Sequence, residues 1–141
     1  MLKKFICLLL TTVLLCAFPV AGIASGSDEF PESAGDIGIL MTYISSYDYS
    51  LNISSSGLAS CGAGMTAYPG TDKVSISMYL QKYDSGWSTV QHWTKEAAGN
   101  YVSLGKSYYV MKGYNYRVLV YFYAYEGSAV ESLSRTATQY Y

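Results

Sequence analysis

Catalytic residue types are scarce in this sequence, and their spacing does not suit catalysis. His92 is the only histidine, and its neighbours are Gln91 and Trp93 instead of a carboxylate. Acid–base hydrolysis requires two carboxyl groups that the fold brings together. The candidate carboxylates lie beside turn residues or at the ends of predicted strands: Asp48, Asp72, Asp84 and Glu126. We expect them to be solvated turn residues, and His92 to be a surface or strand histidine.

The signatures of other reaction classes are also missing from the sequence. No serine lies in a Gly-x-Ser-x-Gly turn, and no glycine-rich loop precedes a helix that could bind phosphate. No group of His, Cys and carboxylate residues has the spacing of a zinc site. The sequence therefore predicts a non-enzymatic protein without a metal or cofactor. A site assembled from distant loops stays open, because it would leave no local motif.

Cys61 lies between Ala59 and Ala63 in an alternating segment of small residues. No base or cation is near it in sequence to lower its thiol pKa, so we expect a buried, inert thiol. The other cysteines, Cys7 and Cys16, lie in the N-terminal segment. If that segment is removed, Cys61 is the only cysteine and no internal disulfide can form.

The N-terminus has the three-part layout of a secretory signal peptide. Lys3 and Lys4 precede an apolar run from Phe5 to about Phe18, and small residues follow it at 21–24. The run is shorter than the ~20 residues that a bilayer span needs. Residues 1–24 are therefore predicted to be a cleaved signal helix. Secretion follows from this, with no membrane anchor after cleavage.

Residues 25–42 combine acidic residues and glycine with little apolar periodicity, so we interpret them as a flexible acidic leader. An extra strand over residues 37–44 is the alternative. The main domain then covers residues 43–141. Beyond residue 24 the chain carries seven basic and ten acidic residues, a formal charge of −3, which argues against nucleic-acid binding.

From residue 43 onward, apolar and polar residues alternate with a period of two, which is typical of strands. Turn-forming residues separate the predicted strands: 47–54, 58–68, 73–83, 87–95, 101–110, 114–125 and 128–138. Trp87, Val90 and Trp93 do not share one parity, so we expect a bulge in the fourth strand. This pattern predicts an all-β, seven-stranded antiparallel sandwich, with a small closed barrel as the alternative.

The segment from Val110 to Val120 contains Lys-Gly-Tyr-Asn-Tyr-Arg at 112–117. It resembles the turn into strand F of fibronectin type III and related immunoglobulin-like domains. In such domains a buried tyrosine ties this strand to the preceding connection. The resemblance implies a sandwich of that type, with Tyr116, or failing that Tyr114, as the structural tyrosine corner.

A second resemblance rests on the signal peptide, on Tyr-Leu-Gln-Lys-Tyr at 79–83, on Trp-Ser-Thr-Val-Gln-His-Trp at 87–93 and on residues 112–117. Together these look like an uncharacterised family of short secreted proteins of Gram-positive bacteria, over roughly residues 54–138. The resemblance implies an exported domain of unknown function. It carries no catalytic, ligand or cofactor residues.

Tyrosine is the remaining feature of the sequence that points to a function. The 16 tyrosines all lie beyond the signal peptide and exceed what one core of this size can hold, so we expect some of them to be exposed. In a fibronectin-like topology the strands that carry Tyr79 and Tyr121 are neighbours. An outward aromatic face is then expected from Tyr79, Tyr83, Tyr121, Tyr123 and Tyr125, with Leu119 on the same side of the second strand. Aromatic rings with a polar tip suit sugar rings and protein surfaces.

The leading hypothesis is therefore a secreted, non-enzymatic module, free or associated with the cell wall, that binds cell-wall glycan or an extracellular protein through this face. Two alternatives stay open. Cross-strand tyrosine pairs could serve only to stabilise the sheet. The polar last strand is expected at a sheet edge, where it could instead pair with other copies, in a structural, self-assembling surface protein without a small-ligand site.

Overall fold

The computed structural model describes residues 40–141. Its seven strands are β1 (Ile44–Ile53), β2 (Leu58–Ala67), β3 (Lys73–Tyr83), β4 (Trp87–Ala98), β5 (Tyr101–Tyr109), β6 (Asn115–Glu126) and β7 (Ala129–Tyr140). Within this range there is no helix that is long and apolar enough to cross a membrane. The predicted signal helix and most of the predicted leader lie outside the described residues.

The strands form two separate antiparallel sheets. One sheet has three strands in the order β1-β2-β5, and the other has four in the order β4-β3-β6-β7. The prediction of an all-β fold with seven antiparallel strands is confirmed. The closed-barrel alternative is wrong, because no ladder of hydrogen bonds joins the two sheets.

The core lies between the two sheets and follows from the alternation along each strand. Most of the larger buried side chains come from β3 and β6, and include Ile76, Met78, Leu80, Val120 and Phe122. β2 contributes mostly small ones: Ala59, Cys61, Ala63 and Ala67. Burying each large apolar side chain stabilises the fold by roughly 1.5–3 kcal/mol. Small residues facing large ones let the sheets interdigitate at the density of a protein interior.

β4 contains the predicted bulge. Leu80 pairs with Gln91, but the next residue of β3, Gln81, pairs with Thr89, so Val90 is the extra residue. Val90 and Trp93 both pack against the core. The bulge therefore brings Val90 and Trp93 to the same side of the sheet, whereas Trp87 pairs with the outward Tyr83 and lies on the other face.

Two strand boundaries differ from the prediction by three residues, and the others differ by no more than two. β4 continues through Ala98, although residues 96–100 were expected to be a loop, because Ala98 still pairs with Lys73 of β3. An ion pair of 3.0 Å between Lys73 Nζ and Glu96 supports this end of the ladder. β1 begins at Ile44, three residues before the prediction, because the side chain of Glu131 binds the backbone there.

Side chains of β7 hold β1 against the edge of the other sheet. Glu131 accepts hydrogen bonds from the backbone N–H groups of Thr42, Tyr43 and Ile44, at 2.6–2.8 Å. At the opposite end of β1, the side-chain amide of Gln139 pairs with both the N–H and the carbonyl of Ile53. We call these contacts the β1–β7 seam.

Candidate functional site

The predicted aromatic face lies on the outer surface of the four-stranded sheet. β3 and β6 are neighbours there, with Tyr79 opposite Leu119 and Ser77 opposite Tyr121. Because strand residues alternate between faces, Tyr121, Tyr123 and Tyr125 all point outward with Tyr79. We call Tyr79, Tyr121, Tyr123 and Tyr125 the tyrosine row.

The rings of the tyrosine row contact one another in sequence. Tyr79 and Tyr121 meet edge to face with centroids 6.0 Å apart, and Tyr121 and Tyr123 lie nearly parallel at 6.5 Å. Tyr125 continues the row 6.4 Å beyond Tyr123. The rings are half-buried, since each covers part of the next. Burial, together with the neighbouring tyrosines, raises the pKa of Tyr123 above its ordinary value of 10.

Tyr83, the fifth predicted residue, packs with a different partner. Its ring meets Trp87 edge to face at 5.2 Å, and 47% of its surface is exposed. The guanidinium of Arg117 lies 4.2 Å above the centroid of Trp87. Tyr83 therefore belongs to a second aromatic group near the β3–β4 hairpin.

His92 extends the tyrosine row onto β4. Its ring stacks on Tyr79 with centroids 4.1 Å apart and planes 10° from parallel, and its Nε2 is 3.1 Å from the hydroxyl of Thr94. Sequence reasoning treated His92 only as a surface or strand residue. The bulge at Val90 places both His92 and Thr89 on the outward face. Without it, strict alternation would put these two residues on opposite faces of the sheet.

An open cleft of about 300 Å³ lies beside the row, lined by Tyr79, Gln81, Thr89, Leu119, Tyr121 and Tyr123. Leu119 continues the outward series of β6 with a side chain shorter than tyrosine, which leaves room directly opposite Tyr79. Sequence reasoning placed Leu119 on this face but gave it no role. Gln81 and Thr89 were missed, because only the register of three strands brings them beside the tyrosines.

The polar side chains of the cleft are held in defined orientations. The side-chain carbonyl of Gln81 accepts a hydrogen bond of 2.7 Å from Arg117 Nε. Its amide nitrogen donates one of 3.0 Å to the hydroxyl of Thr89. Because both ends of the amide are engaged, Gln81 presents its remaining N–H in a fixed position.

Charged groups lie at the ends of this face, and each has a partner. Lys73 sits 4.4 Å above the ring centroid of Tyr125 and also pairs with Glu96. Arg117 packs on Trp87 and bonds Gln81. The cleft itself is lined by uncharged side chains only.

The outer surface of the three-stranded sheet differs in character. Its middle is formed by Gly62 and Gly64 of β2, and these pair with Ser50 and Asp48 of β1. A Cβ atom added to Gly62 would lie only 2.8 Å from the hydroxyl oxygen of Ser50. The centre of this surface therefore consists of small and polar residues. The aromatic surface of the four-stranded sheet is the better candidate site.

Tyr116 and Cys61 lie away from the cleft, in the core. Tyr116 is 2% exposed, and its hydroxyl donates to the carbonyl of Met111 at 2.9 Å and accepts from the Met111 N–H at 3.1 Å. This is the geometry that a tyrosine corner requires. Burial raises the pKa of the Cys61 thiol to about 11, which disfavours the reactive thiolate.

The acidic, histidine and cysteine side chains of residues 40–141 are dispersed over the domain. In that range no three His, Cys or carboxylate residues are grouped so that they could hold a metal ion. The described carboxylates Asp48, Asp72, Asp84 and Glu126 are all exposed. The cleft offers aromatic surface, one amide and hydroxyls, which are groups that bind.

Most of the chain is similar to a known protein family. A model of a family of unknown function, DUF6147, matches residues 22–139. The chain belongs to the DUF6147 family. The match covers the tyrosine row and the cleft, so both are parts of the DUF6147 region itself. No curated protein matches this DUF6147 chain. Membership confirms the expectation of a domain of unknown function and assigns no activity.

Proposed function

We propose that this DUF6147 protein is a secreted, non-enzymatic extracellular module that binds a glycan or a protein through the tyrosine row. The observation that carries the proposal is the row itself, four adjoining rings beside an open, uncharged cleft. Tyrosine contributes a large, rigid contact area at low entropic cost, and its hydroxyl remains available for hydrogen bonding. Such a surface suits recognition.

The proposal extends to the fold type, a fibronectin type III-like sandwich. When the seven strands are lettered A, B, C, C′, E, F and G, the observed orders β1-β2-β5 and β4-β3-β6-β7 become A-B-E and C′-C-F-G. That is the arrangement of fibronectin type III domains. The bonds between Tyr116 and Met111, at the entry to β6, support the same assignment. Domains of this architecture often act as extracellular interaction modules.

Export is supported by the N-terminal sequence. Lys3 and Lys4, the apolar run after them and the small residues at 21–24 are the features that a signal peptidase substrate carries. The proposed setting is the outside of a Gram-positive cell, either free or associated with the wall. There the module would meet wall glycans and extracellular proteins.

Pull-down on insoluble peptidoglycan, polysaccharides and candidate extracellular proteins tests the proposed binding. The protein should be retained by at least one of them, and Tyr79→Ala with Tyr121→Ala should reduce retention by tenfold or more. The tenfold figure corresponds to a loss of about 1.4 kcal/mol of binding free energy from the two aromatic contacts. Both substitutions remove outward rings and leave the core intact.

The matched control is Tyr109→Ala, which removes a 69% exposed tyrosine from β5 in the other sheet. It should bind like the wild type. The proposal fails if no ligand retains the wild-type protein, or if the Tyr79→Ala/Tyr121→Ala protein binds as well as the wild type while both keep the same circular dichroism spectrum.

A further inference from the structure

The cleft has the shape of a site for one flat, largely apolar ring. Leu119 contributes apolar lining opposite Tyr79 of β3 and next to Tyr121 on the outward side of β6, and Tyr123 lines the cleft beyond Tyr121. Its volume of about 300 Å³ is at the lower end of the ~300–1,000 Å³ range of small-molecule sites. The cleft is open above, so a ring within a longer chain could enter without its ends being threaded through.

The rim of the cleft offers hydrogen-bonding groups that match hydroxyls. The amide nitrogen of Gln81 carries two N–H groups, and Thr89 accepts one of them. The hydroxyl of Thr89 thereby keeps its own O–H for donation. A sugar ring carries hydroxyls around its edge and C–H groups on its faces, so it can meet both the rim and the aromatic walls.

Charge on this face argues against an ionic ligand. No carboxylate, ammonium or guanidinium group lines the cleft. The nearest cations are engaged, since Lys73 pairs with Glu96 and Arg117 packs on Trp87. A polyanion or an acidic peptide would need cations that are available to it, whereas a neutral ligand needs none.

A neutral protein segment fits the rim less well than a sugar. A proline-rich chain also docks on aromatic side chains. Each proline, however, offers only a backbone carbonyl, which accepts hydrogen bonds, because proline has no N–H to donate. The rim provides a donor from Gln81 and a hydroxyl from Thr89 that can both donate and accept. A sugar hydroxyl can accept a hydrogen bond from Gln81 and can donate to Thr89 or accept from it.

We infer that the ligand is a neutral polysaccharide and that one of its sugar rings sits over Leu119, against the adjoining rings of Tyr79 and Tyr121. This inference rests on the proposed binding function and names its ligand class and its primary subsite. The rest of the tyrosine row, through Tyr123 and Tyr125, then contacts the neighbouring sugars of the chain.

The test uses soluble polymers in affinity electrophoresis and titration calorimetry. The neutral probes are laminarin, hydroxyethylcellulose and galactomannan, the acidic probe is polygalacturonate, and a polyproline peptide represents a protein ligand. The inference predicts binding to at least one neutral polymer, with affinity that changes less than about twofold between low salt and 0.5 M NaCl, because no ion pairs form.

Leu119→Tyr is the decisive variant. It fills the cleft and adds aromatic surface, and tyrosine is a good strand former, so the sheet should be retained. Affinity for the neutral polymer should fall by tenfold or more because the subsite is blocked. Ser107→Tyr, which adds the same side chain at an exposed position of β5, should bind like the wild type.

The outcomes separate this inference from the proposed function. If Leu119→Tyr binds normally while Tyr79→Ala/Tyr121→Ala does not, the row binds ligand but the subsite is wrong. If polyproline or polygalacturonate binds and the neutral polymers do not, the ligand class is wrong while a binding function stands. If no probe, wall material or protein is bound, the proposed function itself fails.

Discussion

Single side chains in this protein serve both the core and the loops. Tyr116 fills the core between the sheets with its ring, and its hydroxyl closes the β5–β6 connection through two hydrogen bonds to Met111.

Gly57 lies at a position where both the backbone conformation and the available space exclude a side chain. Its φ is +85°, and a Cβ atom there would lie 2.9 Å from the carbonyl oxygen of Val110. Glycine is therefore required where the β1–β2 turn approaches the β5–β6 connection.

Tyr116→Phe isolates the hydroxyl from the ring. We expect the free energy of unfolding to fall by about 1–3 kcal/mol, because two hydrogen bonds to a partly buried turn are lost while the packing is kept. Urea denaturation followed by fluorescence measures the change. Tyr140→Phe, at a position 66% exposed, is the control and should unfold at the wild-type urea concentration. Equal midpoints for both variants would contradict the role assigned to Tyr116.

At the scale of the strands, the β1–β7 seam closes one side of the sandwich. β7 ends the four-stranded sheet and β1 ends the three-stranded one, so two edge strands face each other there. Glu131, Arg135 and Gln139 are spaced four residues apart and point to the same side of β7, where each bonds to β1. The prediction that the last strand lies at a sheet edge is confirmed. Edge-to-edge assembly of copies through β7 stays a prediction.

Glu131 makes this seam sensitive to acid. Burial alone raises the pKa of Glu131, but the backbone N–H groups of Thr42, Ile44 and Tyr43 outweigh it and hold the pKa below its ordinary value of 4.5. A lowered pKa means that the carboxylate stabilises the folded state above about pH 4.5 and that this contribution is lost as the pH falls through the lower folded-state value.

The variant Glu131→Gln should therefore be less stable than the wild type at pH 7, by about 1–2 kcal/mol. The difference should shrink as the pH falls below the ordinary value for a glutamate, because the wild-type side chain is then protonated as well. Urea denaturation across pH 3–7 measures it. Glu126→Gln, an exposed carboxylate beside the β6–β7 turn, is the control. A difference between Glu131→Gln and the wild type that does not change with pH would contradict the role assigned to the carboxylate.

At the scale of the whole described domain, stability is concentrated in two strands. β3 and β6 lie inside the four-stranded sheet, and their inward residues Val74, Met78, Val118 and Phe122 are fully buried. β5 is an edge strand, and its second half, residues 105–109, is exposed on both faces. The aromatic cleft therefore lies on the most firmly held part of the fold, which suits a preformed binding surface.

Amide hydrogen exchange should reveal this gradient. Backbone N–H groups of β3 and β6 should exchange slowest, through global unfolding, whereas those of residues 105–109 should exchange much faster through local opening. Two-dimensional NMR after transfer to heavy water measures the individual rates. Equal protection in β5 and β6 would contradict the proposed distribution of stability.

Much of the architecture could be read from the residues. The period-two alternation is strong in β3 and β6, so their bounds and faces were predicted to within a residue or so. β4 was predicted to end three residues too early, because Glu96, Ala97 and Ala98 have weak strand preference. Their pairing with β3 is what keeps them in the strand. Tertiary contacts likewise set the start of β1, where Glu131 lies 87 residues further along the chain.

The residues alone were enough to predict the class of fold, the surplus of tyrosine and the side of β6 from which Tyr121, Tyr123 and Tyr125 project, because alternation is a local property of the chain. Tyr79 could be placed beside this row only by assuming a strand order, which the folded structure supplies. The packing of Tyr83 on Trp87, and the cleft that Leu119 lines together with Gln81 and Thr89, emerge only in that structure. These facts depend on strand order, register and the bulge at Val90, which are fixed by packing between residues distant in sequence.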